Sequence, residues 1–155
     1  MNEAEGIEAS ILSTFADVAR SLGYSSVHGK IIGVLLIKRK PLSLEELAKE
    51  TGYSTGMVSL SLDLLEVLGV VRKFKKSGDR RVHIELRGDL LECLKRAIII
   101  KARKSVGNSL EQFEGYRKRL SSMDSGEAKS VLKAVDLLEK EMKRLERYIG
   151  LLEKV

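Results

Sequence analysis

Residues 43–69, SLEELAKETGYSTGMVSLSLDLLEVLG, decide the fold. Ser43 is an N-cap residue type, and Glu46 stands three positions on, the capping-box spacing that satisfies two backbone donors at a helix start. Leu44, Leu47 and Ala48 share one face of a short helix over 44–51, which Gly52 breaks. Ser54 or Thr55 caps a second helix running to about Leu68, with Val58, Leu62, Leu65 and Leu68 on one face and Gly69 as terminator. Two short helices joined by a tight, Gly-containing turn make a helix-turn-helix.

After Gly69 the period changes. Val70-Val71-Arg72-Lys73-Phe74-Lys75-Lys76 leads into Ser77-Gly78-Asp79, a hairpin-type turn, and Arg80-Arg81-Val82-His83-Ile84-Glu85-Leu86 follows. Alternation at Val82, Ile84 and Leu86 predicts a strand. Two strands with a basic tip directly after a helix-turn-helix form a wing.

Working outward, Ile7, Ile11, Phe15, Val18 and Leu22 make one stripe of an N-terminal helix that Gly23 ends. A second helix covers about 26–39, and Pro41 closes it because the residue before a proline avoids the helical region. Beyond the wing, Gly88 and Asp89 open a long helix to about 121, and a last helix spans about 127–154. Its Val131, Val135, Leu138, Met142, Leu145, Ile149 and Leu152 are spaced alternately by four and three, an unbroken heptad seam. At about 1.5 Å per residue this edge is about 40 Å long, more than a small domain covers. Dimerisation would cover it, and packing against the preceding long helix within one chain would use the same stripe. The expected fold is mainly α with a small β-hairpin wing, a winged helix-turn-helix with long N- and C-terminal dimerisation helices. Residues 1–25 form the N-terminal dimerisation helix, 26–88 the DNA-binding domain and 89–155 the C-terminal helical dimerisation region. The expected dimer interface comprises Ile11, Phe15 and the seven seam residues.

Composition sets the outer bounds. The 155 residues are 43% apolar and 32% charged, which suits one domain with extensions and not a disordered chain. One cysteine, Cys93, cannot staple the fold, and points to a reducing compartment. The N-terminus, MNEAEGIEAS, lacks the basic and apolar regions of a signal peptide, and the run Ile98-Ile99-Ile100 is far too short to cross a membrane. A cytoplasmic protein with no membrane partner is the expectation. The net charge is +6, and the stretch 72–81 alone carries Arg72, Lys73, Lys75, Lys76, Arg80 and Arg81 against Asp79. Charge focused in this way suits a polyanion, although a run of charge is as often a solvated face.

The second helix of the pair is the recognition helix, and the partner it implies is double-stranded DNA. Val58 and Leu62 belong to its core stripe, which leaves Ser54, Thr55, Met57, Ser59 and Ser61 to face DNA. Hydroxyls and backbone N–H groups at a helix N-terminus suit phosphates, and Met57 suits a thymine methyl. Between Ser54 and Leu68 there is no Arg, Lys, Asn or Gln, so the strongest bidentate base readers are missing and groove shape gains weight. Lys73, Lys75, Lys76, Arg80 and Arg81 of the wing would neutralise phosphates, and an arginine at a hairpin tip can enter a narrow minor groove. Asp79, two residues before Arg81, is placed to hold that guanidinium by a charge-assisted hydrogen bond.

Leu44-Glu45-Glu46-Leu47-Ala48-Lys49-Glu50-Thr51-Gly52, Val58-Ser59, Leu64-Leu65 and Leu68-Gly69-Val70-Val71-Arg72 resemble the winged-helix core of MarR-type transcriptional regulators. Asp79-Arg80-Arg81-Val82-His83-Ile84-Glu85-Leu86 resembles that family's wing pattern of Asp, any residue, Arg, four residues and Leu. Arg87 stands where the family usually has Thr or Ser. The Ser54–Ser59 turn and the long helical tail are more similar to the GbsR-like branch. The resemblance covers about 31–89. It implies a homodimeric repressor with two recognition helices in successive major grooves of a pseudo-palindrome. It also implies Arg81 as the minor-groove arginine with Asp79 as its orienting partner. The choline ligand of GbsR-like relatives is not carried over, because the seven aromatics are scattered and there is no Trp to build a cage.

Other chemistry finds no motif. His28 and His83 lie 55 positions apart with no ligand cluster at metal spacing, so no metal and no cofactor are expected. Cys93 reads as a small apolar core residue. No phosphate loop, nucleophile elbow or carboxylate pair suggests an enzyme. The expected function is sequence-specific transcriptional regulation, with a small-molecule effector left open. An architectural DNA-binding protein and a coiled-coil interaction module are the alternatives.

Overall fold

The computed structural model describes residues 2–155. Helix α1 (Glu3–Ser21) starts at Asn2, whose side chain accepts from the Glu5 backbone while Glu5 accepts in return from the Asn2 backbone. It crosses α2 (Ser26–Lys38) at a contact made possible by two glycines one turn apart. A Cβ at Gly29 would lie 2.1 Å from the Phe15 carbonyl oxygen and 2.8 Å from the Ala16 nitrogen, and one at Gly33 would meet Leu12 Cδ2 at 2.8 Å. Backbone thus lies against backbone, and Ala16 and α2 residues Val27, Ile31, Ile32, Val34 and Leu35 are buried.

Helix α2 ends at Arg39, whose left-handed conformation (φ 55°) turns the chain into strand β1 (Leu42–Ser43). Ser43 then caps α3 (Leu44–Thr51) through a full capping box: Ser43 Oγ accepts from Glu46 N at 3.2 Å, and Glu46 Oε2 accepts from Ser43 N at 2.8 Å. Gly52, at φ 78°, ends α3 in the left-handed region that a side chain would oppose. Helix α4 (Thr55–Val67) follows after three residues, capped by Ser54 Oγ accepting from Met57 N at 3.2 Å. Strands β2 (Val71–Lys75) and β3 (Val82–Leu86) form the wing hairpin.

The sheet has three strands in the order β1-β3-β2, all antiparallel, with Leu42 opposite Ile84 and Lys73 opposite Ile84 on the other side. The two-residue strand β1 adds a third strand to the expected hairpin wing, and a strand so short has no readable period in the sequence. Leu47, Val58, Leu62, Leu65, Val71 and Ile84 form the core beneath this sheet and helix pair.

Helix α5 (Leu90–Ser121) starts against the wing, where Cys93 Sγ donates to the carbonyls of Gly69 (3.4 Å) and Arg87 (3.7 Å). The chain divides into two compact units inside this helix, residues 2–94 and 95–155 of those described. The second unit is an antiparallel hairpin of α5 and α6 (Gly126–Leu152). Ile99 and Val106 of α5 pack with Ile149 of α6, flanked by Ala102, Leu110 and Met142. Arg117 bridges to Asp136 and Glu139, and Arg103 to Glu153, so ion pairs tie both ends of the hairpin.

The heptad seam of α6 is split by this packing. Ala128, Val135 and Ile149, with half-buried Met142, recur every seven residues and are covered within the chain. Val131, Leu138, Leu145 and Leu152 form a parallel column 42–50% exposed. The expectation that the whole seam faces a partner is therefore corrected for Val135, Met142 and Ile149. A 3.5-residue repeat makes a stripe two residues wide, and one side of it serves the intramolecular hairpin. Phe15 is likewise engaged within its own chain, half-buried against Gly33, while Ile11 is exposed.

Candidate nucleic-acid interface

Helix α4 buries Val58, Ser61, Leu62 and Leu65. At 3.6 residues per turn these four share one side. The opposite side carries Gly56, Leu60, Asp63 and Val67, with Thr55, Met57 and Ser59 exposed on its flanks. Leu60 and Val67 are 74% and 78% exposed. Ser61, expected to face DNA, is 8% exposed and belongs to the core side, because it lies three residues after Val58 and four before Leu65. Ser54 spends its hydroxyl on the cap, and its backbone carbonyl accepts from Val58 N at 3.0 Å.

The six cations of the wing separate into two groups. Arg72 binds Glu85 across the strand pair and stacks over the Phe74 ring at 4.7 Å. Lys73 reaches back to Asp63 and to Glu66, at 3.9 Å, at the C-terminal half of α4. Lys73, expected among the phosphate contacts, is thus paired with carboxylates of α4, and β2 is clamped to that helix. Lys75, Lys76, Arg80 and Arg81 stay exposed at the hairpin tip.

The tip has a defined internal order. Gly78 adopts φ 77° in a turn closed by Asp79 N donating to the Lys76 carbonyl at 3.1 Å. The Asp79 carboxylate accepts from Arg81 N at 2.9 Å, from Arg81 Nη2 at 3.0 Å and from Arg81 Nε at 3.2 Å. The same carboxylate lies 3.1 Å from His83 Nε2. His83 is buried beside Phe74, their ring centroids 5.9 Å apart, and its Nδ1 has no hydrogen-bond partner. The Arg81 hydrogen bonds hold the Asp79 carboxyl well below the usual carboxylate range, and Asp79 in turn raises the Arg81 guanidinium. The guanidinium is held in one direction by an anion that also reaches a buried ring.

Two features were missed from sequence. Strand alternation at Val82, Ile84 and Leu86 does not predict that Val82 is exposed and the neighbouring His83 buried. The Asp79-x-x-x-His83 spacing was the available signal for that contact. Leu60 belongs neither to the core stripe nor to the DNA-facing set read from sequence; counting 100° per residue from Val58 puts it outside the stripe.

No protein-family model matches the chain, and no curated protein matches it in sequence. Its fold is similar to a crystal structure of a protein described as a transcriptional regulator, with a TM-score of 0.61 at 18% identity over 96% of this chain and 99% of that one. Lower similarity, TM-score 0.45 at 21% identity, links it to a point mutant of MepR from S. aureus bound to an oligodeoxyribonucleotide, over 91% of this chain and 94% of that one. The transcriptional regulator BldR from Sulfolobus solfataricus gives 0.44 at 21% identity, over 95% and 92%. The likeness to the first of these is one of fold, a mainly helical chain with a winged helix-turn-helix.

Proposed function

We propose that this chain is a DNA-binding transcriptional regulator of the MarR type, acting as a homodimeric repressor on a pseudo-palindromic operator. The observation that carries this reading is the pairing, within one unit, of a solvent-facing α4 row with a basic wing tip whose Arg81 is pre-oriented by Asp79. A preset guanidinium loses less conformational entropy on binding than a free one, and an arginine on a hairpin tip suits a narrow minor groove. Lys75, Lys76 and Arg80 supply the phosphate-neutralising charge around it. The exposed column Val131, Leu138, Leu145 and Leu152 supports self-association, since a second copy would cover it. No helix among the described residues is long and apolar enough to cross a membrane, and no cluster of His, Cys, Asp and Glu among them would hold a metal.

A second reading, an architectural DNA-binding protein, is favoured by the lack of Arg, Lys, Asn and Gln on α4. Fluorescence anisotropy against duplex from the chain's own upstream region, against a scrambled duplex and across a salt series, separates the two. A preference of about a thousandfold or more for the native duplex establishes a specific regulator. Equal, steeply salt-dependent binding leaves the architectural reading, and absence of binding to both overturns the proposal.

A further inference from the structure

We infer that Leu60 is a base-reading residue of α4, taking the 5-methyl group of thymine in the major groove, and that Gly56 is left without a side chain so that the helix can come close enough for it to do so. This rests on the DNA-binding reading above. Among the groups a base pair shows in the major groove, the thymine methyl is the apolar one, and it is met by apolar side chains. Leu60 is a large apolar side chain 74% exposed at the middle of the row that points away from the core. Gly56 lies one turn before it on the same row. Nothing inside the protein requires a glycine there: an added Cβ would have Ser54 Oγ, at 4.0 Å, as its nearest neighbour. The carboxylate that follows on the row, Asp63, is bound by Lys73, which offsets its repulsion of phosphates. The exposed cations Lys75, Lys76, Arg80 and Arg81 in the same unit complement the duplex that would cover the row.

The test begins with selection of a preferred site from a pool of random-sequence duplexes by the 155-residue chain. The selected duplex is then remade with deoxyuridine for thymidine, one position at a time, which removes a methyl and leaves the hydrogen-bonding edge intact. For the wild-type chain, deoxyuridine at the read position should weaken binding about fourfold per methyl, the size of one buried methylene. Leu60→Ala should bind the thymidine duplex correspondingly less well and no longer distinguish it from the deoxyuridine one. Gly56→Ala should melt no lower than wild type, since the added methyl meets only open space, yet bind at least tenfold more weakly. Equal sensitivity to deoxyuridine in wild type and Leu60→Ala, or unchanged affinity of Leu60→Ala, overturns the inference. A pool from which no sequence is enriched overturns the regulator reading itself, before any variant is made.

Discussion

Asp79 and Arg81 are fastened to each other at both backbone and side chain: one carboxylate accepts the Arg81 N–H at 2.9 Å and its guanidinium Nη2 at 3.0 Å. Two residues apart, on a turn set by Gly78, they form a closed unit in which the cation cannot swing freely. The adjoining contact to His83, at 3.1 Å, connects that unit to the buried side of the sheet.

The acid response of the tip follows from this pairing. Arg81, first through its side-chain hydrogen bond, lowers the Asp79 pKa in the folded chain, against about 3.9 for a free aspartate. A carboxyl depressed on folding contributes stability above its unfolded pKa and loses it as pH falls through the folded one. The contribution is therefore constant from neutral pH down to about pH 5 and declines below the ordinary aspartate range. NMR titration of the side-chain carboxyl should show Asp79 ionised throughout about pH 4–8; a midpoint near the ordinary value of about 4 would mean the pairing does not persist in solution.

Removing the oriented cation should weaken DNA binding without unfolding the wing. Arg81→Ala is expected to cost about 1–3 kcal/mol in affinity for the selected duplex, if the side chain enters a groove. Asp79→Ala should cost less, because the cation remains and loses its orientation alone. Anisotropy titrations of both variants and of the double variant measure this. Independent, additive losses would show that Asp79 does not act through Arg81.

The crossing of α1 and α2 should tolerate no side chain at Gly29. A methyl there would sit 2.1 Å from the Phe15 carbonyl, in rigid backbone on both sides. Gly29→Ala is expected to destabilise by about 1–3 kcal/mol, the usual range for overpacking, against the gain alanine normally brings to a helix. Urea unfolding of the variant decides it, and an unchanged midpoint would mean the helices part easily.

The two columns of α6 should answer differently to the same substitution. Leu138→Lys or Leu145→Lys places charge on the exposed column and should abolish self-association while the chain stays folded. Val135→Lys puts it on the covered column and should lower the melting temperature. Sedimentation velocity and thermal melts read the two effects. An intact dimer in both Leu variants would place the interface elsewhere.

Local chemistry alone determined most of the framework. Ser43 and Glu46, Gly52, Ser54, Gly69 and Gly78 act within a few residues of themselves through caps, left-handed turns and chain reversal, so their positions set the limits of α3, α4 and the wing turn. The Asp79–Arg81 contact belongs to the same kind, spanning two residues. Tertiary structure decided whatever depends on which side of an element its neighbours occupy. Strand β1 exists because Leu42 and Ser43 meet Ile84 and His83, and two residues carry no period of their own. Lys73 pairs with α4 because Asp63 and Glu66 lie across from it, ten and seven positions back in sequence. The α6 seam divides because α5 covers one column of a stripe whose residues are all equally apolar. Hydrophobic periodicity states how much of a helix seeks cover; the placement of other elements decides what supplies it and what stays exposed.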